Sequence, residues 1–256
     1  AGWVEALIAA LDANPQAGLA TPKILLMDDP KRINTCGNEI HISGLTLCRG
    51  MGLPADTFNQ HEEVAAVSGA AFVIRRNLFQ RLGGFDEAFF LYMEETDLSL
   101  RARLAGWHIL YVPDSIVYHD YQLRFGPRKT FYQERNRYRM LLKGLQKRTL
   151  LALLPAFLLA EIVTWGYVLL RDRRHLTNKL EAYAWTVRHW GELMNMRRKT
   201  QAQRRVADHL LLAQTSHRLG FEQTGDGWLS RLAHFVFDPA FCLVRWIGLI
   251  LIRQNP

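Results

Sequence analysis

The sequence predicts a mixed α/β domain over residues 1–127 followed by an all-α, partly apolar tail over 128–256. Three observations carry that expectation. Up to residue 127, short strand-like runs alternate with helical patterns, and from Arg128 onward the strand character disappears. The charge divides in the same place. Residues 1–120 hold nine basic and fifteen acidic side chains and residues 121–256 hold twenty-three and nine, so the net +8 of the whole chain conceals −6 and +14. Finally, Thr149 to Leu170 is a 22-residue apolar stretch with one charge, Glu161.

The elements follow in order. Trp3 to Leu11 has helical spacing and stops at Asn14-Pro15, because a residue before proline is pushed out of the helical region. Leu19 to Met27 reads as a strand and Asp28-Asp29-Pro30 as a turn. A short strand is expected within Ile33 to Ile42, before a loop carrying Gly44, Gly50 and Gly52. These glycines lack the strand-then-helix context of a phosphate-cradling loop. Val64 to Arg75 reads as a buried strand with a small-residue centre, Ser68-Gly69-Ala70-Ala71, the kind of place where a ligand comes close. Asn77 to Leu82 and Glu94 to Ala105 read as helices, the second ended by Gly106. His108 to Val112 and Ser115 to Tyr118 read as two strands around a Pro113-Asp114 turn.

In the tail, Lys129 to Gln146 is a basic helix with an apolar stripe, and Leu176 to Leu212 reads as one long helix. The apolar stretch 149–170 is long enough to cross a bilayer, which takes roughly 20 residues. Basic residues flank it on both sides, Lys147 and Arg148 before and Arg171, Arg173 and Arg174 after, which suits a segment lying along an anionic membrane surface. Trp228 to Ile252 is apolar but is expected to break at Asp238-Pro239, as an interfacial or re-entrant element. A buried helical hairpin is the competing reading.

Hydrophobic residues make up 49% and charged residues 22%, enough to fill a core and incompatible with global disorder. Cys36, Cys48 and Cys242 show no zinc spacing and read as reduced thiols in a cytoplasmic setting. The basic tail invites a nucleic-acid reading, yet its arginines are spread around amphipathic helices without a recognition motif, so no nucleic-acid partner is expected. The chain opens on Ala1 inside a helical pattern, which reads as a fragment of a longer protein.

The densest chemistry is Phe89-Phe90-Leu91-Tyr92-Met93-Glu94-Glu95-Thr96-Asp97, with three carboxylates at a helix start. Such residues favour a first turn through the helix dipole, and Asp97 can pair with Arg101 one turn on. A carboxylate beside aromatic residues and partly desolvated also suits a general base, because its pKa rises toward working pH. His119 closes a strand, where sites on α/β sheets gather. Trp107 reads either as core or as a platform against a sugar face.

Several motifs stand together: Ser68-Gly69-Ala70-Ala71-Phe72-Val73-Ile74-Arg75-Arg76, Gly83-Gly84-Phe85-Asp86-Glu87, Tyr92 to Arg101, Ala105-Gly106-Trp107, Val112-Pro113 and Val117-Tyr118-His119. In order and spacing they resemble family 2 glycosyltransferases, nearest the rhamnosyltransferase-like branch. The likeness runs over about residues 1–150 and includes Glu134-Arg135-Asn136.

The resemblance implies the acceptor-side half of a GT-A-like domain. It implies an inverting transfer from a nucleotide-sugar donor to a saccharide or lipid-linked acceptor hydroxyl, in polysaccharide or glycolipid synthesis. The base is then the second acidic residue of the pair, Glu95, where the family has Asp. A side chain longer by one methylene keeps Asp97 and Glu94 as alternatives. Gly69, Ala70, Trp107 and Arg135 fall to substrate binding, Arg135 against the donor diphosphate.

His119 falls to a divalent metal, Mg or Mn. The main ligands of that metal are expected in an N-terminal nucleotide-binding half with an Asp-x-Asp motif, which Asp28-Asp29 does not supply. The chain is therefore expected to neither bind donor tightly nor turn over alone, and to act at the cytoplasmic face of a bacterial inner membrane. The alternative is a non-catalytic membrane-associated scaffold or partner-binding module, in which the acidic cluster only caps a helix.

Overall fold

The computed structural model describes residues 2–121, 128–171, 173–221 and 227–253. The chain is mixed α/β in its first part and helical afterwards, as expected, and it divides into two compact units. The first comprises Ala1–Ile40, Thr46–Arg124 and Gln203–Val206. The second comprises His41–Leu45, Phe125–Ala202 and Ala207–Pro256. The junction expected at 127/128 abuts 122–127, outside the described residues.

In the first unit, α1 (Trp3–Ala13) ends at Asn14, whose side-chain amide donates to the Ala10 carbonyl at 2.8 Å. The central strand β1 (Ala17–Leu26) is buried at every position but its last, as a strand covered on both faces must be. Along one edge it pairs in parallel with β7 (His108–His119). Its other edge takes β6 (Val73–Ile74) at Leu19 and Ala20, and β2 (Ile33–Thr35) at Ile24 and Leu25, both antiparallel. β5 (Glu62–Glu63) lies on the outer edge of β7. A hairpin of β3 (Asn38–Ile40) and β4 (Thr46–Cys48) stands apart from this sheet.

Helix α2 (Arg76–Leu82) and helix α3 (Glu94–Leu104) complete the unit. Leu19, Val67, Leu78, Leu98, Ile109 and Tyr111 form its main core. Gly18 is fixed by packing, since a Cβ there would fall 2.3 Å from Leu78 and 3.1 Å from Trp107. Helix α3 closes on Gly106 at φ 88, as its glycine predicts. The Leu104 carbonyl at its end accepts the backbone N–H groups of Arg205 and Val206 at 2.7 and 3.2 Å, and Gln203 donates to the Arg81 carbonyl.

Two expectations fail in this unit. The two strands expected around Pro113-Asp114 are one strand with a bulge. The partner of β1 jumps from Val112 at Pro22 to Ile116 at Lys23, leaving three residues outside the ladder, and Ser115 ties the bulge to the Trp3 carbonyl at 2.8 Å. Val64 to Arg75 is not a strand either. Its centre folds as a turn, with Ala71 N–H donating to the Ser68 carbonyl, and what pairing remains is a single antiparallel bridge from Ala66 to Asn38 and the two-residue strands at its flanks.

In the second unit, α4 (Lys129–Gly144) packs against α7 (Leu176–Arg188) and α8 (Trp190–Ala202). Helices α5 (Lys147–Ala152), α6 (Leu154–Arg171), α9 (Asp208–Ala213) and α10 (Trp228–Arg253) complete it. Leu141, Leu153, Ala160, Phe241 and Ile252 form its core together with Ile42. Gly44, at φ 82, lies where a Cβ would meet Leu141 at 2.9 Å.

The apolar stretch 149–170 is two helices, broken at Leu153, with Pro155 in the first turn of the second, where its missing N–H costs nothing. The single helix expected over 176–212 is three, interrupted at His189 and again at 203–207. The break expected at Asp238-Pro239 is absent, and α10 runs through it. Pro239 sits on the exposed side, and His234 bonds the Asp238 carboxylate one turn on at 2.9 Å.

The lone carboxylate of the apolar stretch is turned inward. Glu161 accepts from Arg137 at 2.5 Å, from Lys179 at 2.9 Å and from the Tyr138 and Tyr183 hydroxyls, and Glu134 shares both cations. Burial acts to raise its pKa, but those hydroxyls and charges hold it down to about 2.

Candidate active site

Helix α3 begins directly after a strained turn. Phe90, Tyr92 and Met93 have φ of 57, 66 and 67, a left-handed conformation that side-chain-bearing residues rarely adopt, and Met93 offers no side-chain cap. Such strain clusters where a fold must present particular groups. The groups presented here are Glu94 and Glu95.

Glu95 is half-buried beside Gly69 and Ala70, which are exposed. A Cβ placed on Gly69 would stand 3.4 to 3.6 Å from its carboxylate end, so only the missing side chain leaves that approach open. Oε1 accepts from Asn38 Nδ2 at 3.1 Å and from the Thr96 hydroxyl at 3.4 Å. Burial, and after it the negative charge of Glu94, push the Glu95 pKa up to about 7 against the pull of the Glu95 and Thr96 backbone N–H groups and the Thr96 hydroxyl. The carboxylate thus sits near the value at which a base accepts and returns a proton most readily at neutral pH.

The small-residue turn is held from both sides. The Thr21 hydroxyl on β1 donates to the Ala71 carbonyl at 3.1 Å, and the Ser99 hydroxyl on α3 accepts the Val67 N–H at 3.2 Å. The sheet and the acidic helix therefore fix Gly69 and Glu95 relative to each other.

The other two carboxylates are placed differently. Asp97, 1% exposed, accepts from Arg101 Nε at 2.7 Å, while that guanidinium donates to the Leu82 and Gly84 carbonyls at 2.9 Å each. The pair expected from spacing is a buried clamp between α3 and the end of α2. Glu94 Oε2 is buried without a hydrogen-bond partner among the described residues.

His119 ends β7, with Nδ1 2.9 Å from Asn34 Oδ1 and its ring 5.8 Å from that of Tyr121. Burial, and after it the charges of Cys48 and Tyr92, raises the Tyr121 phenol to about 12. Trp107 lies at the opposite end of the strand. His108 pairs with Ala17 and His119 with Leu26, nine residues apart along β1 and about 30 Å at roughly 3.3 Å per residue. Trp107 and His119 therefore do not line one rim, and Trp107 packs on Gly18 with Arg81 over its ring. Arg135 belongs to the second unit, where its guanidinium lies over Phe131, Tyr132 and Trp185 at 5.2, 5.0 and 4.8 Å and donates to Asn136.

Among the described residues, no group of three or more His, Cys, Asp or Glu is placed to hold a metal ion. His119 offers one imidazole donor, and one donor does not make a divalent-cation site.

Against family models, residues 4–196 match the model described as glycosyl transferase family group 2. The chain belongs to that family. Among curated relatives of this family 2 chain is the N-acetylglucosaminyl-diphospho-decaprenol L-rhamnosyltransferase of Mycobacterium tuberculosis. It is 46% identical over 56 residues, which are 22% of this chain and 18% of that protein. The rhamnosyltransferase WbbL of Escherichia coli K12 is 28% identical over 88 residues, 34% of this chain and 32% of that protein. The likeness thus spans less than a third of either relative. Among solved structures, the crystal structure of GalNAc-T7 with UDP, GalNAc and Mn2+ is similar over 54% of this chain and 28% of that one, with 20% identity and a TM-score of 0.42.

Asn38, Thr21 and Ser99 were not singled out by sequence. Asn38 stands 57 residues from the carboxylate it bonds, and neither hydroxyl carries a pattern that marks it. The left-handed turn had no signal either, since aromatic residues and methionine do not advertise positive φ.

Proposed function

We propose that this chain carries the acceptor-activating part of an inverting glycosyltransferase, with Glu95 as general base. The observation that carries the reading is a half-buried carboxylate poised near neutral pH beside an exposed, side-chain-free Gly69. The acceptor hydroxyl approaches over Gly69 and Ala70 and gives its proton to Glu95 as its oxygen attacks the anomeric carbon of the donor sugar. The bond to the nucleoside diphosphate breaks on the opposite face, and the configuration inverts. Asp97 holds α3 in place and does not take the proton. Two relatives named as rhamnosyltransferases, one of them acting on a diphospho-decaprenol-linked sugar, support a rhamnosyl donor and a lipid-linked acceptor in cell-surface glycan synthesis.

A divalent metal, Mg or Mn, would offset the charge of a departing diphosphate. The described residues supply no complete ligand set for it, so His119 would be one ligand at most. The others, like the nucleotide-binding part, fall to sequence beyond this stretch, and no step above passes through the metal.

The membrane part of the proposal rests on the second unit. Ser230–Arg253 is long and apolar enough to cross a bilayer, and only 17% of its most apolar 18 residues is buried. Leu232, Phe235, Leu243 and Trp246 on α10 lie exposed at helical spacing, as do Leu154, Leu158 and Ile162 on α6. An apolar face of that kind beside basic residues suits the cytoplasmic surface of an anionic bilayer, where lipid-linked acceptors reside.

The decisive test is Glu95→Gln in the full-length protein. Transfer should be lost while the fold is kept, and retained turnover refutes Glu95 as base. Flotation with anionic and with neutral vesicles tests the membrane reading, which fails if the protein stays unbound to both.

A further inference from the structure

The geometry points to Asn38 as the residue that positions Glu95, by engaging Oε1 so that Oε2 is the oxygen offered past Gly69. This rests on the reading of Glu95 as base and adds the atom that takes the proton and the residue that aims it.

Asn38 is well built for such a role. It is 6% exposed, and its backbone is pinned in both directions, its N–H donating to the Ala66 carbonyl at 2.8 Å and its carbonyl accepting from Ala66 at 3.2 Å. It also pairs with Cys48 across the hairpin. The residue before it, Gly37, holds φ 83, where a Cβ would press on Val64 and the Ala66 carbonyl at 3.1 to 3.3 Å. The Asn38 side chain therefore leaves a rigid turn. An ionised carboxylate only accepts, so the Asn38 amide must turn Nδ2 toward it. The Thr35 hydroxyl lies 3.3 Å from Oδ1 on the other side.

The division of labour on the carboxylate is unequal. Asn38 and Thr96 both meet Oε1. Oε2 lies 3.5 Å from where a Gly69 Cβ would be, and Gly69 is exposed. An incoming hydroxyl thus meets Oε2 while Oε1 keeps its donors.

This arrangement also accounts for the length of the base. A glutamate carries one methylene more than an aspartate, and an untethered carboxylate on the longer arm samples more rotamers. Asn38 removes that freedom. The pair Asn38 and Glu95 together span three side-chain methylenes, as do Gln and Asp, so exchanging which partner is longer should restore the reach.

The test compares Asn38→Leu, Glu95→Asp and the double variant Asn38→Gln/Glu95→Asp in the full-length protein, with kcat and donor KM measured separately. A displacement of about 1 Å at a reacting group costs on the order of 100-fold. Both single variants should therefore lose about 10- to 100-fold in kcat with donor KM little changed, and the double variant should recover about 10-fold over Glu95→Asp. A structural role alone would not be rescued by exchanging lengths. Wild-type kcat in either single variant, or a double variant no faster than Glu95→Asp, overturns the assignment. If Asn38→Leu does not fold, the comparison of the double variant with Glu95→Asp decides. Glu95→Gln separates the two claims, because an inactive Glu95→Gln beside a fully active Asn38→Leu removes Asn38 and leaves the base in place.

Discussion

A carboxyl group that resists ionisation in the folded state weakens that state whenever solution pH forces it to ionise. The Glu95 pKa rises to about 7 from a reference of 4.5, about 2.5 units, and at about 1.36 kcal/mol per unit this caps the effect near 3 kcal/mol. Because the folded value is the higher one, the contribution is fully present below about pH 4.5 and is lost as pH rises through about 7. Glu95→Gln removes the titration, and its amide oxygen can still accept from Asn38. The variant should therefore match the wild type near pH 4.5 and exceed it by about 2 to 3 kcal/mol at pH 8.5. Urea unfolding of both proteins at the two pH values measures the difference, and subtracting one from the other cancels every group they share. Parallel stability curves between pH 4.5 and 8.5 would refute a raised Glu95.

Three further outcomes are expected. Turnover under kcat/KM conditions should rise about tenfold per unit below pH 7 and level off above it, as a base with a pKa of about 7 requires; a profile flat from pH 5 to 8 contradicts this. Gly69→Ala should fold normally, because its Cβ meets Glu95 at ordinary contact distances of 3.4 Å and beyond, yet lose about 10-fold or more in kcat/KM by covering the approach to the carboxylate. Asp97→Ala strands the buried Arg101 and should cost about 3 to 5 kcal/mol in unfolding; a loss under 1 kcal/mol would show that the clamp is dispensable.

Much of the local structure is written in punctuation. Asn14-Pro15 and Gly106 end helices where the sequence places their ends, and the spacing of Asp97 and Arg101 anticipates their ion pair. What resists reading is whatever depends on distant partners. Asn38 meets Glu95 across 57 positions, and no periodicity reports such a meeting. Trp107 and His119 look adjacent because eleven residues separate them, but an extended strand turns that interval into the length of the sheet. Pro239 looks like a helix breaker, yet on the exposed side of α10 it removes one hydrogen bond without stopping the turn. Glu161 looks like an interruption of an apolar segment and is instead the anchor of an inward-facing ion network.

The capping of α3 by Arg205 and Val206 bears on how such a chain can be inherited and recombined. The helix that begins with Glu94 and Glu95 ends on a carbonyl satisfied by residues a hundred positions downstream, and the loop of the β3–β4 hairpin belongs in turn to the helical unit. A crossover near residue 127 that exchanged the helical part for another would uncap the acidic helix and leave the hairpin loop without its core. An exchange that spared both units would have to carry residues 41–45 with the helical part and leave residues 203–206 behind with α3.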